Sequence, residues 1–228
     1  MTRSLAYALV ALLLPTHLVA GAWPREQGEA FLSLKVGSSD GAETSYAIYS
    51  EYGATPRLTL GLSADRYALR TGAVELFSRF ALRPESATQI STEFNVGYEF
   101  DTRPVTWPVM GDRLSFGAAV MVGRGFSTPV GAAWADLRVG RRTTLDQLRT
   151  ETEAKLTTGV SPTERVKLFV DIEHDIVDRI EAEPESFTTV APTVAVELAK
   201  GTHATVGYTV DPGGDLPSRI DVGVWLAF

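Results

Sequence analysis

The chain has 228 residues, no cysteine and a formal net charge of −7. Without cysteine there is no disulfide framework, no thiol catalysis and no cysteine-ligated zinc. The acidic balance excludes nucleic-acid binding, which needs a basic surface to displace counterions from phosphates, and the length is compatible with a single all-β unit.

Residues 1–22 read as a secretory signal: Arg3 supplies a positive charge, Leu5 to Leu14 is an almost unbroken apolar run, and Ala20-Gly21-Ala22 offers small residues for cleavage before Trp23. The apolar run is about ten residues, against the roughly 20 needed by a membrane-spanning helix. The expected division is a signal peptide over 1–22 and one domain over 23–228. Removing the first 22 residues takes away a single charge, Arg3, and leaves 206 residues with a net charge of −8. No later stretch approaches 18 consecutive apolar residues, so a mature chain in a membrane would cross it as a closed barrel.

From there on, apolar residues alternate with polar or small ones, the period of a strand that faces two environments. Over Arg57 to Asp65, Leu58, Leu60, Leu62 and Ala64 share one face, and Thr59, Gly61, Ser63 and Asp65 the other. Over Gln89 to Phe100, Ile90, Phe94, Val96, Tyr98 and Phe100 oppose Gln89, Ser91, Glu93, Asn95 and Glu99. The pattern predicts strands near 29–37, 43–53, 57–67, 72–83, 88–100, 113–123, 132–142, 147–160, 164–174, 187–198, 203–211 and 218–228. Most are close to the 9–11 residues a tilted strand needs to cross a bilayer.

Links of two lengths alternate. Short ones fall at Ala54-Thr55-Pro56, Arg83 to Ala87, Ser161-Pro162-Thr163 and Ala199 to Thr202; longer polar ones fall at Asp101 to Asp112, Asp175 to Ser186 and Asp211 to Pro217. This is the short-turn, long-loop arrangement of a transmembrane barrel with both termini periplasmic. The connection from Arg124 to Gly131 stands where a short turn is expected and is long for that role. Tyr46, Tyr52, Tyr98, Phe100 and Phe228 are candidates for aromatic girdles at the membrane interfaces.

The final segment, Arg219 to Phe228, alternates to its last residue and ends on an aromatic. It resembles the closing strand of Gram-negative outer-membrane proteins, in which a terminal Phe is the pattern read by the barrel-assembly machinery. The resemblance implies an all-β fold, a closed antiparallel up-and-down transmembrane barrel of about 12 strands in the outer membrane. It also implies Phe228 as assembly signal, and the assembly machinery, membrane lipid and lipopolysaccharide as partners.

If the apolar face meets lipid, parity assigns the other face to the lumen. The acidic residues there are Glu51, Asp65, Glu75, Glu93, Glu99, Asp136, Glu151, Glu153, Asp171, Glu173, Glu197 and Asp221; the basic ones are Lys35, Arg79, Arg138, Arg149, Lys155, Lys167 and Arg219. Trp134 and Trp225 share that side. Excess negative charge within low-dielectric walls concentrates cations, which predicts a small passive channel for ions or small solutes. The alternative is a closed structural or interaction barrel, its charges paired across the lumen and its acidic loops outside.

A hydrolase is a third reading. Barrel hydrolases need a histidine base, and after residue 22 the histidines are His174 and His203. His203 reads as a solvated turn residue. His174 stands in Glu173-His174-Asp175, near Asp171, Asp178, Glu181, Glu183 and Glu185, whose oxygens could hold a divalent cation, although the spacing matches no defined metal loop. Neither a Gly-x-Ser-x-Gly elbow nor a His-x-Ser arrangement is present. The expectation is therefore no enzyme, no cofactor, no metal and no catalytic residue.

Overall fold

The computed structural model describes residues 21–39, 44–67, 71–84, 86–101, 113–145, 148–180, 182–214 and 216–228. The expected signal segment lies outside these residues apart from Gly21 and Ala22, as does most of the loop expected at Asp101 to Asp112.

Twelve strands follow one another: β1 (Ala30–Ser39), β2 (Thr44–Thr55), β3 (Leu58–Tyr67), β4 (Thr71–Ala81), β5 (Thr88–Asp101), β6 (Arg113–Thr128), β7 (Gly131–Thr144), β8 (Arg149–Thr163), β9 (Val166–Arg179), β10 (Glu185–Ala199), β11 (Thr202–Thr209) and β12 (Arg219–Ala227). Each pairs antiparallel with its sequence neighbours, and β1 pairs with β12 from Phe31↔Ala227 to Ser39↔Arg219, closing the barrel. At the seam the Ala30 amide donates to the Phe228 carbonyl and the Phe228 amide to the Ala30 carbonyl.

Alternation then sorts every strand into an outward and an inward face. Leu76, Phe94 and Val206 are 59%, 63% and 56% exposed and stand on the outer wall, part of an apolar surface carried by all the strands. Such a surface on a chain with this much inward charge is stable only against hydrocarbon. No described helix is long and apolar enough to cross a membrane. Tyr46, Tyr52 and Tyr98 lie on the outer face near strand ends, and the Phe228 ring is 75% exposed.

The connections at one end, called here the turn end, are tighter than the sequence suggested. The expected long connection from Arg124 to Gly131 is replaced by a turn of two residues, Pro129-Val130, with Thr128 paired to Gly131. Gly123, Arg124 and Gly125 interrupt the apolar alternation, which ended the expected strand too early; in the barrel Phe126 resumes the outward face beyond the exposed Arg124. The turn needs glycine at 131: its φ is +134°, and a Cβ there would run into the Ser161 carbonyl.

Ser161-Pro162-Thr163, expected as a turn, belongs to β8. Pro162 sits at a register shift between Val160 and Thr163, a position where a missing ladder N–H is tolerated, and the turn is Glu164-Arg165. Lys200-Gly201 closes β10 to β11, with Gly201 at φ +74°. At the opposite, loop end, the expected loop from Asp175 to Ser186 is shortened, since β9 runs on to Arg179 and β10 begins at Glu185. Asp175 therefore belongs to the lumen wall.

Leu76 stands at the middle of β4. The variant Leu76→Arg is expected to lose about 2–4 kcal/mol of stability in vesicles, read from urea unfolding; an unchanged midpoint would contradict its lipid-facing position.

Candidate functional site: the barrel lumen

The inward residues form three zones along the barrel axis. At the turn end the lumen is packed solid. Thr59, Ala81, Ser91, Met121 and Ala195 are each 0% exposed, and Gln89, Lys167, His203 and Thr205 are buried with them. Part of this floor comes from the chain ahead of β1. Ala22 is buried, its carbonyl accepting from Ser91 Oγ at 3.0 Å, and the Arg25 amide donates to Thr59 Oγ1 at 2.9 Å. The Arg25 guanidinium pairs with Glu51 and lies 4.5 Å over the Phe31 ring.

The rest of the floor is aromatic. Inward rings from five strands and β12 run in contact across the barrel: Phe77 stacks on Tyr49 at 5.6 Å, Tyr49 meets Phe31 edge-on at 6.3 Å, and Phe31 meets Trp225 at 6.1 Å. Phe169 then stacks on Trp225 at 5.5 Å and meets Trp134 at 6.5 Å. These separations suit offset and edge-to-face ring pairs. Trp134 and Trp225 thus fill the turn-end half of the lumen rather than narrowing a free passage.

Above the floor, one wall carries charges that alternate in sign across strands. Glu51 is shared by Arg25 and Arg79; Arg79 reaches Glu51 at 2.6 Å and Glu93 at 2.9 Å; Glu93 also takes Arg138 at 3.0 Å, and Arg138 pairs onward with Glu153. Nearer the loop end a second row joins Glu75 to Arg142 at 3.3 Å, Arg142 to Glu151, Glu151 to Arg149, and Arg149 to Glu99 at 2.8 Å. Tyr49 donates to Glu51 at 2.5 Å and receives Arg79 at 3.2 Å. An unpaired charge in so dry a place would cost several kcal/mol, so planar guanidiniums that serve two carboxylates each are the economical solution. On the facing wall Lys155 lies 3.3 Å from Glu173 and 3.9 Å from Asp171, and Arg219 lies 2.9 Å from Asp221.

Between these walls lies a cavity of about 910 Å³, reaching from Trp134, Phe169 and Trp225 at the floor to Asp211, Leu216 and Pro217 at the loop end. Its lining holds eleven Asp and Glu against eight Arg and Lys. Asp65, Asp136 and Asp175 line it without an ion pair among the described residues. Asp136 lies against Gly21, and one of its buried oxygens receives no hydrogen bond from the described residues.

Glu75, Arg79, Glu93, Asp136, Arg138, Glu151, Glu153, Lys155, Asp171, Arg219 and Asp221 all line this cavity. Lys167 does not; it is 3% exposed, at the level of the packed floor. Arg25, Arg142 and Asp175 are lumen charges that the sequence reading left out. Arg142 shares the parity of Arg138 and could have been found by it. Asp175 was hidden by ending β9 too soon, and Arg25 precedes the first strand, where no periodicity points to it.

Glu173, His174 and Asp175 do not converge. Alternation turns Glu173 and Asp175 into the lumen and the exposed His174 outward, where its Nδ1 lies 2.9 Å from Thr188 Oγ1. Among the described residues no cluster of three potential His, Asp or Glu metal ligands forms. His203 is not a solvated turn residue. The turn ends at Gly201, β11 starts at Thr202, and His203 therefore points inward, 1% exposed and 6.3 Å from the Trp225 ring.

No family model matches the chain, and no curated protein does. Solved structures do match in fold. The COG4313 outer membrane channel from Pseudomonas putida F1 superposes with a TM-score of 0.63 at 11% identity, over 92% of this chain and 100% of the other. The KdgM porin gives 0.62 at 10% identity over 87% and 99%, and the NanC porin 0.62 at 10% over 86% and 98%. The chain has the fold of Gram-negative outer-membrane β-barrel proteins.

Proposed function

We propose that the protein is an outer-membrane channel for small cationic or uncharged solutes, entered from the loop end. The observation that carries this reading is the 910 Å³ cavity along the barrel axis and its carboxylate excess, including Asp65, Asp136 and Asp175. Most of the cavity's cations are held by carboxylates, whereas these three carboxylates face the cavity without an ion pair among the described residues. A wet cavity edged by one sign of charge and walled by low dielectric raises the local concentration of the opposite ion. The mechanism is diffusion, with no cofactor. The solved barrels of like fold include proteins whose names call them porins and channels, which agrees with this use of the scaffold.

The paired rows and the packed floor favour a second reading, a closed barrel whose charges serve to hold its shape. The two readings differ in conductance. Refolded into a planar bilayer under a KCl gradient, the channel is expected to give discrete steps with a reversal potential of the cation-selective sign. Changing Asp136 and Asp175 together to Asn is expected to move that potential toward zero. An anion-selective or unshifted potential would contradict the role given to these carboxylates.

Arg79 is buried and joins three partners in either reading. Arg79→Met leaves Glu51 and Glu93 short of a cation and is expected to cost about 3–5 kcal/mol, measured by urea unfolding of the refolded barrel. A change within experimental scatter would show that the row carries no structural burden.

A further inference from the structure

Residues 21–28 form no strand; Trp23 and Pro24 are half-buried and Arg25 is buried as part of the floor, while Glu26, Gln27 and Gly28 are exposed at its edge. The wall beneath them is made of residues too small to fill the lumen themselves: Gly53, Thr59, Ser91 and Gly123. A Cβ at Gly53 would overlap the Glu26 carbonyl, and one at Gly123 would come within 2.6 Å of the Trp23 ring and 2.9 Å of the Ala22 Cβ. Neither glycine has the left-handed φ that would call for glycine on backbone grounds. What those two positions provide is room for the segment.

The attachment is local. Besides the bonds of Ala22 and Arg25 already described, the Gly28 amide donates to the Gly53 carbonyl at 2.8 Å and the Gly53 amide to the Glu29 carbonyl at 2.9 Å. All twelve strands close on one another without the segment. Glu51 would keep Arg79 as its partner if Arg25 left. Arg25 lines the cavity, so the segment stands between the cavity and the turn-end mouth.

We propose that Trp23 to Glu26, the first residues after the expected signal segment, are a displaceable stopper, seated on Gly53, Thr59 and Gly123, whose release joins the cavity to the turn end and opens the pathway. This rests on the channel reading above.

Gly53→Val places its side chain where the Glu26 backbone lies, and Gly123→Val crowds the segment from β6; the second variant carries the test if the first does not fold, as judged by heat-modifiable migration. Two readouts are taken on the same refolded protein: trypsin cleavage after Arg25, which is 6% exposed and paired in the seat, and bilayer conductance. The unchanged chain is expected to resist cleavage at Arg25 and to open rarely. The variants are expected to be cut there and to spend a several-fold larger fraction of time open. Equal cleavage at Arg25 in the unchanged chain would overturn the seating. Variants that are cut, but conduct no more than an already conducting unchanged chain, would overturn the stopper and leave the channel standing. Silence of every form, the cut ones included, would overturn the channel reading itself and the stopper's role with it.

Discussion

Inside a hydrocarbon layer no water is present to take up a free amide or carbonyl, so each backbone polar group must find its partner within the protein. A sheet with no edge meets that demand, and the pairing of β1 with β12 removes the last edge. Much of the rest follows from that closure. Once the sheet is a tube, the pleat can point side chains only to lipid or to the lumen, and a slip of one residue in any strand would exchange the two sets. Leu76 and Phe94 outside, Glu75, Glu93 and Asn95 inside, are consequences of one register.

Closure also fixes what the interior must do. A tube of this width brings charges from non-adjacent strands within reach of one another, and Arg79 spans from β2 to β5 to satisfy Glu51 and Glu93. The arginines answer a desolvation problem by serving two carboxylates each, which also ties successive strands together from within. Where the lumen is driest the chain uses rings instead, from Phe77 to Trp134, together with the segment around Arg25. The two ends thus differ in kind: a packed floor at the turn end, and a charged cavity toward the loops.

The barrel was legible because strand alternation repeats along most of the chain, and a single wrong boundary does not disturb the others. Errors fell where alternation is locally blurred. Gly123, Arg124 and Gly125 look like a loop until the outward Phe126 is seen to continue the face, and Pro162 looks like a turn because a bulge that tolerates proline leaves no mark in sequence. The lumen was legible as a set of positions but not as an arrangement: parity brings Glu93 and Arg138 to the same side without saying that they touch. The aromatic floor escaped because Phe31, Tyr49, Phe77 and Phe169 are ring residues on a face expected to be polar. Nothing in the pattern before Ala30 suggests that Trp23 and Arg25 turn back into the barrel, since that placement depends on gaps left by distant glycines.

One wall separates lipid from a wet cavity, and the cavity ends in a packed floor. The chain lacks cysteine, so single cysteines at Thr193, Val194 and Thr59 report on the three environments when the barrel in vesicles is treated with a charged, water-soluble thiol reagent. Thr193→Cys, which faces the cavity, is expected to be labelled, while Val194→Cys on the lipid face and Thr59→Cys in the floor are expected to be protected. Labelling of Val194→Cys in place of Thr193→Cys would reverse the faces, and rapid labelling of Thr59→Cys would show that the floor is not closed.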